Sequence, residues 1–270
     1  PRNDGLKRYP GECVAHAAPF WSAGIAFDVP DMDADFSRYK IVVAPMLHMV
    51  RPGVAERIEE FVRNGGIFVS TYMSGWVDET DLCTEGGFPG PLRKVLGIHA
   101  EEIDALPVGE KRSILCKDGN SLGLSGESNA HIFCELIHTE GAEVVATYGD
   151  DFYAGRPAVT VNAFGRGLAC HIAARVGHGF LRDLYAALVK RAGITPCVDS
   201  KIPEGVGVSR RSGRGGDFLF VMNFTPRPAS IDLPGTEKFL DALRGGPIEG
   251  TLVLDPFDTR VLRTNMPSQA

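Results

Sequence analysis

Ser74 is the first residue whose position suggests chemistry. It follows the apolar, β-branched run Ile67 to Tyr72, which reads as a buried strand. A serine just past a strand end can serve as a nucleophile, but a nucleophile elbow needs small residues on both sides, as in Gly-x-Ser-x-Gly. Here Tyr72 and Trp76 stand at those two positions, so Ser74 is not expected to be catalytic. Asp78, Glu79 and Asp81 follow, with Glu85 beyond them. Such a cluster could bind a cation, act as a carboxylate pair, or cap and solvate a loop. The Asp-x-Asp-x-Asp-Gly spacing of a calcium loop is not there. Gly86-Gly87-Phe88-Pro89-Gly90 suggests a phosphate cradle by composition alone. It lacks the lysine and Ser/Thr of a P-loop, and Pro89 and Pro91 remove backbone donors that a cradle would use.

The histidines are His16, His48, His99, His131, His138, His171 and His178. None falls in a His-x-x-x-His or His-Glu-x-x-His pattern, so a helical zinc site is not supported. His131 and Cys134 are three apart on an expected strand and point to opposite faces, as do neighbours Cys170 and His171. Satisfied structural histidines are the better reading. The six cysteines (Cys13, Cys83, Cys116, Cys134, Cys170, Cys197) are scattered, with no Cys-x-x-Cys pair. Cys116, Cys134 and Cys170 sit in apolar runs, where a free thiol behaves as a small hydrophobe. Reduced thiols and a cytoplasmic setting are expected. No residue is therefore assigned a catalytic, cofactor-binding or metal-binding role.

The elements that position these residues follow from patterning. The chain has 270 residues, 44% hydrophobic and 23% charged, which suits one large or two ordinary globular domains. A net charge of −6 gives no reason to expect a nucleic-acid or anionic-membrane partner. No apolar run approaches the ~20 residues that span a bilayer. Pro1 to Arg8 has no apolar core of a signal peptide. Pro1 itself fits either a removed methionine or a fragment.

Residues 11–23 are expected as a helix, Ile25–Val29 as a short strand, and Ile41–Met46 as a buried parallel strand. A helix opening at Pro52 places Val54, Ile58, Phe61 and Val62 on one stripe. Gly65-Gly66 ends it, and Ile67–Tyr72 follows, so strand, helix and strand form a parallel crossover unit. The edge where Ser74 and Gly75 stop that strand is where open α/β sheets place ligand sites. Leu92, Val95 and Leu96 mark a short helix capped by Gly97. Beyond it, Ile98–Ile103, Ser113–Cys116, Ile132–Ile137 and Val144–Thr147 read as strands. Ala158–Ala163 and Leu168–Ala173 read as a hairpin about Gly165-Arg166-Gly167. Phe180 to Ala192 reads as a helix. After a boundary near 196–204, the strands 206–210, 218–224, 229–233, 250–254 and 257–262 indicate an antiparallel sandwich. Turn signals separate them, among them Ser212-Gly213-Arg214-Gly215-Gly216.

Ser74-Gly-x-x-Asp78-Glu79-x-Asp81, followed by Gly86-Gly87-Phe88-Pro89-Gly90-Pro91-Leu92-Arg93-x-x-Leu96-Gly97, resembles the middle domain of family 42 β-galactosidases. Tyr39–Leu47 resembles the second-strand signature of that family, and Tyr148–Ala158 a later hairpin. Phe220–Phe224 with Leu254–Leu262 resembles the small C-terminal sandwich of several glycosidases, this family included. The resemblance covers nearly the whole chain. It implies a three-layer α/β domain of flavodoxin-like, class I glutamine-amidotransferase-like fold over 1–197, which mediates homotrimer formation, then a β-sandwich over 198–270. It also implies that the first strand of the α/β domain, before the segment matching 11–23, is missing. An amidotransferase would need a cysteine at the elbow, and Ser74 stands there instead, with Cys83 well into the loop. Family 42 enzymes cleave β-galactosides with two glutamates on a (β/α)8 barrel. Retaining glycosidases hold such a pair about 5 Å apart, and the barrel takes roughly 250 residues of alternating strand and helix. These residues are already used by other elements, so no residue here is either glutamate. The expectation is a non-catalytic, C-terminal assembly region of a larger enzyme, partnered by its own barrel and by sister subunits. The rival readings are a free-standing amidotransferase-like enzyme, separable by nucleophile labelling, and a carbohydrate-binding module in the last domain. The latter would need exposed aromatics, whereas both tryptophans, Trp21 and Trp76, are assigned to the first domain.

Overall fold

A computed structural model describes residues 9–264 except Arg214 and Thr236. The readings of Pro1 to Arg8 and of Arg214 within its turn lie outside the described residues. The chain begins with α1 (Tyr9–Ser22), β1 (Ile41–Ala44), α2 (Val54–Arg63) and β2 (Ile67–Thr71). β1 and β2 pair in parallel, Ile41 opposite Ile67 and Ala44 opposite Ser70, with α2 as the crossover. Val54, Ile58, Phe61 and Val62 are all buried on one face of α2. Each such side chain contributes roughly 1.5–3 kcal/mol by leaving water. Helix α2 starts two residues later than expected because Gly53, at φ 81, takes the cap position and leaves Pro52 in the turn. β2 is buried at every residue, as a strand covered on both faces must be.

The expected strand over Ile25–Val29 does not form. Gly24 turns the backbone at φ 62, and its carbonyl accepts the Cys197 amide. Phe27 and Val29 are exposed. An apolar run with no strand beside it has nowhere to place its backbone hydrogen bonds as a ladder.

A 3₁₀ turn over Gly90–Leu92 leads into α3 (Arg93–Leu96), which Gly97 closes in the left-handed region at φ 63. Then follow β3 (Ile98–Ala105), β4 (Lys111–Cys116), β5 (Glu127–Thr139), β6 (Glu143–Tyr148), β7 (Pro157–Phe164), β8 (Gly167–Ile172), β9 (Ala174–Val176) and α4 (His178–Arg191). The sheet runs β1-β2-β8-β7-β6-β4-β5-β3. Parallel pairing is confined to β1, β2 and β8. The pairs beyond are antiparallel. β9 continues β8 past Ala173 and pairs with β5, so the strands from β8 through β7, β6, β4 and β5 return on themselves. Closure of this kind leaves those strands without a free edge. The core gathers Val62 of α2, Phe68 of β2, Leu92, Val95 and Leu96, and Ile98 and Ile137 of the sheet.

The last part comprises β10 (Val206–Gly213), β11 (Gly216–Asn223), β12 (Ala229–Asp232), β13 (Phe239–Asp241), β14 (Pro247–Ile248), β15 (Thr251–Leu254) and β16 (Thr259–Thr264). They form one sheet of order β10-β11-β16-β13-β14 and a β12-β15 pair, all antiparallel. Val208, Leu219, Val221, Leu252, Leu254 and Leu262 fill the core of this sandwich. β13 and β14 were not expected, because two or three residues each are too short to show a period. The chain forms two compact units, and they do not meet at a single cut. One holds the start of α1 through His16 and residues 30–193; the other holds 17–29 together with Ile194 onward. Trp21 therefore belongs with the sandwich, contrary to the sequence assignment. Its ring centroid lies 5.7 Å from that of Phe224, and a side chain at Gly207 would strike it.

Candidate functional site

The carboxyl ends of β1 and β2 meet where the fold predicts a site. Ser74 lies there, buried. Its hydroxyl donates to the Thr71 carbonyl at 2.7 Å and accepts the Leu47 amide at 3.1 Å. The Thr71 hydroxyl oxygen accepts the Met46 amide at 2.7 Å. These bonds tie the β1 exit to the β2 exit. With its proton held by a backbone carbonyl, Ser74 is arranged as a latch. Gly75 must be glycine: it sits at φ 67, and a Cβ there would collide with the Pro89 carbonyl.

The loop from Trp76 to Pro91 is held at both ends. Val77 bridges Met49 and Cys83, and Phe88 bridges Ala100. Phe88 stacks on Trp76 with centroids 4.5 Å apart and planes 12° apart. Arg93 donates to the Gly86 carbonyl at 2.9 Å. Of the acidic cluster, Asp78 accepts Thr80 Oγ1 at 2.7 Å, Thr80 N at 2.8 Å and Leu82 N at 3.1 Å. These bonds, the Thr80 hydroxyl first, hold its carboxyl below the usual carboxylate range. Asp78 thus closes an Asx-type turn. Among the described residues no group of three His, Cys, Asp or Glu is placed to hold a metal ion.

A second constellation was not singled out from the sequence. Ser70 of β2, His171 of β8 and Glu135 of β5 lie in a row. Ser70 Oγ is 2.8 Å from His171 Nδ1, and His171 Nε2 is 2.8 Å from Glu135 Oε2. Glu135 Oε1 accepts the Met73 amide at 3.1 Å. The arrangement is satisfied when Nε2–H donates to the carboxylate and Nδ1 accepts the serine proton. It has the connectivity of a hydrolytic relay. However, Ser70 is 0% exposed, in the middle of a wholly buried strand, so no substrate reaches it. The row instead pins β2, β8 and β5 together and fixes Met73, which takes a left-handed φ of 59 just before the Ser74 latch. The available sequence signal was polar residues inside three apolar runs, Ser70 beside Thr71 in the first, Glu135 in the second and His171 in the third.

The other expected residues disperse. His16 bonds to the Tyr185 hydroxyl, and burial pushes its pKa down to about 4. His138 bonds to Glu101 at 2.7 Å on the surface. All six cysteines are free. Burial, chiefly, raises the Cys134 thiol to about 11, and burial raises that of Cys170 to about 12, so both are poor nucleophiles. Among the described residues no helix is long and apolar enough to cross a membrane.

Comparison with known proteins bears on both units. Residues 2–195 match the β-galactosidase trimerisation domain family, and residues 205–264 match the β-galactosidase C-terminal domain family. The chain is 48% identical over 257 residues to β-galactosidase Pbg of Clostridium perfringens, covering 95% of this chain and 37% of that protein. It is 45% identical over 262 residues to β-galactosidase BglY of Alicyclobacillus acidocaldarius, covering 97% of this chain and 38% of that protein. The solved β-galactosidase from Bacillus circulans sp. alkalophilus superposes with a TM-score of 0.91 at 38% identity, over 96% of this chain and 38% of that one. The chain thus spans well under half the length of these relatives, and the part spanned is continuous. From the loop motifs, the two-part architecture and these matches together, the chain belongs to the family 42 β-galactosidases and comprises that family's trimerisation and C-terminal domains.

Proposed function

We propose that this chain is the non-catalytic assembly region of a β-galactosidase that hydrolyses terminal β-D-galactosides. In this reading the acid/base and nucleophile glutamates lie on a (β/α)8 barrel elsewhere in the same polypeptide. The observation that carries the proposal is a match running through both domains while spanning well under half of the relatives' length. Residues 1–197 act as an amidotransferase-like α/β trimerisation domain and residues 198–270 as the C-terminal sandwich. The amidotransferase-like part of this reading rests on the parallel strands β1, β2 and β8 with α2 as crossover. The partners are the barrel and two sister subunits, giving a homotrimer, without nucleic acid or membrane. Free thiols throughout support a cytoplasmic setting.

No residue of this chain supplies chemistry, binds a cofactor or holds a metal in this reading. The Ser74 and Ser70 hydroxyls are engaged in internal hydrogen bonds, which supports it. The test is a chromogenic β-galactoside assayed with this chain alone and with the full polypeptide, beside light scattering on the latter. Turnover by the full polypeptide alone, at trimer mass, is expected. Turnover by this chain near the full rate, abolished by changing one of its own acids, would overturn the proposal. So would a full polypeptide that is inactive or strictly monomeric at micromolar concentration.

A further inference from the structure

A surface helix normally docks by an apolar stripe. The part of α1 that belongs to the first unit, Tyr9 to His16, does the reverse. Tyr9 is 51% exposed and Val14 68%, while the buried residues of this stretch are Glu12 and His16, each 5% exposed. Lying at i and i+4, they share one face of the helix. His16 meets the Tyr185 hydroxyl of α4, and Glu12 forms an ion pair with Arg175 of β9. A buried ion pair adds little stability over apolar side chains of similar volume. Covering the sheet would therefore be served as well by leucine or valine at these two positions. Their polarity points to what lies beneath them.

The groups beneath Glu12 stand at the carboxyl ends of two parallel strands. Tyr72 directly follows β2, and its amide donates at 2.9 Å to the carbonyl of Ile172, the last residue of β8. Arg175 follows shortly after in β9. This is the edge on which open α/β sheets form their ligand sites. Tyr72 is 1% exposed and packs against Phe133 with ring centroids 5.4 Å apart. Its hydroxyl makes no hydrogen bond of ordinary geometry among the described residues. Burial first, and then the Glu12 charge, raise its pKa above the usual phenol range, while the Arg175 charge acts in the opposite sense. The hydroxyl thus lies within electrostatic reach of both the carboxylate and the guanidinium. His131 of β5 borders the same region: burial first, then the Lys111 and Arg175 charges, lower its pKa. A guanidinium fork matches a carboxylate, and a buried phenol adds a second donor beside it.

We propose that this edge of the sheet is a carboxylate-binding site, formed by Arg175 and Tyr72, which α1 keeps closed with Glu12 as a built-in occupant. The ligand class is a small monocarboxylate, the group that Glu12 itself presents. Being tethered, Glu12 acts at a high effective concentration and holds the site against dilute competitors. A free carboxylate enters when the start of α1 lifts, and by mass action it favours the lifted state. The site is independent of the assembly role proposed above.

The test follows hydrogen exchange of α1 and β9 peptides by mass spectrometry in the full polypeptide. The probe is acetate, which supplies the atoms that Glu12→Ala removes, with chloride at equal ionic strength as control. In Glu12→Ala the α1 peptides are expected to exchange at least about 10-fold faster than in wild type, since one side of a buried pair is lost. Acetate is expected to restore most of that protection, with a half-effect below about 0.1 M. In Glu12→Ala combined with Arg175→Ala it is expected to restore none. Unchanged α1 exchange in Glu12→Ala overturns the closure. Protection that does not saturate, that chloride matches, or that survives the loss of Arg175 overturns the site. If Glu12→Ala does not fold, wild type decides. There 0.5 M acetate is expected to speed α1 exchange about 5-fold or more over chloride, through the lifted state. Equal exchange in the two salts then overturns the proposal.

Discussion

Replacing Glu135 by alanine should cost the first unit about 4 kcal/mol. The carboxylate is buried, and it accepts from His171 Nε2 and from the Met73 amide. Each hydrogen bond to a charged acceptor is worth about 1.5–3 kcal/mol. Losing both gives about 3–6 kcal/mol, the range in which breaking one side of a buried pair falls. At roughly 2–4 °C per kcal/mol for a domain of this size, the melting midpoint should drop by about 8–16 °C. Glu135→Gln retains an acceptor for the Met73 amide and should lose less than half as much. Ser70→Ala removes one neutral hydrogen bond and should cost about 1 kcal/mol. A double-mutant cycle with His171→Ala should return a coupling of at least about 1 kcal/mol. The assay is urea and thermal unfolding followed by circular dichroism. A loss below about 1 kcal/mol for Glu135→Ala would refute the packing argument. If Ser70→Ala instead abolished the activity of the full polypeptide with its midpoint unchanged, the row would be a catalytic relay.

His16 is held neutral by burial at a pKa of about 4 against an ordinary 6.5, so the unfolded chain binds the extra proton first. Its stabilisation is therefore present above about pH 6.5 and lost as pH falls towards 4, by about 3 kcal/mol in all; His16→Phe should flatten the stability profile in that window. Gly75→Ala should destabilise by more than about 2 kcal/mol, through a left-handed φ and a collision with the Pro89 carbonyl, and should weaken trimer formation by displacing the Trp76–Pro91 loop. In the sandwich, Asp241 is buried against Arg260 at 2.7 Å and accepts the Leu243 and Arg244 amides, so Asp241→Ala should lower its unfolding free energy by about 3 kcal/mol. Exposed Cys83 should react with a thiol reagent in the folded protein, whereas Cys134 and Cys170 should react only on unfolding, as mass spectrometry would record.

Local patterning was enough for much of the architecture. The α2 stripe, the wholly apolar β2 run, the Gly97 cap and the Gly165-Arg166-Gly167 hairpin each carry their reason within a few residues, and the structure forms all four. The loop motif from Ser74 to Gly97 was enough for the family. What failed locally was Ile25–Val29, whose apolar composition resembles a strand but which finds no neighbour to pair with. Nor could periodicity show that β9 closes the sheet on β5, or that residues 17–29 pack with the sandwich, because both depend on contacts between segments far apart in sequence. The Ser70–His171–Glu135 row makes the same point at the level of chemistry. Each member is a polar residue in an apolar run, and His171 lies 36 positions from Glu135 and 101 from Ser70, so only the register of β2 on β8 and the return of β5 bring them within hydrogen-bond reach. Sequence determines which faces must be buried; which buried polar groups meet is decided by strand order, since a hydrogen bond forms only between groups the tertiary fold places about 3 Å apart.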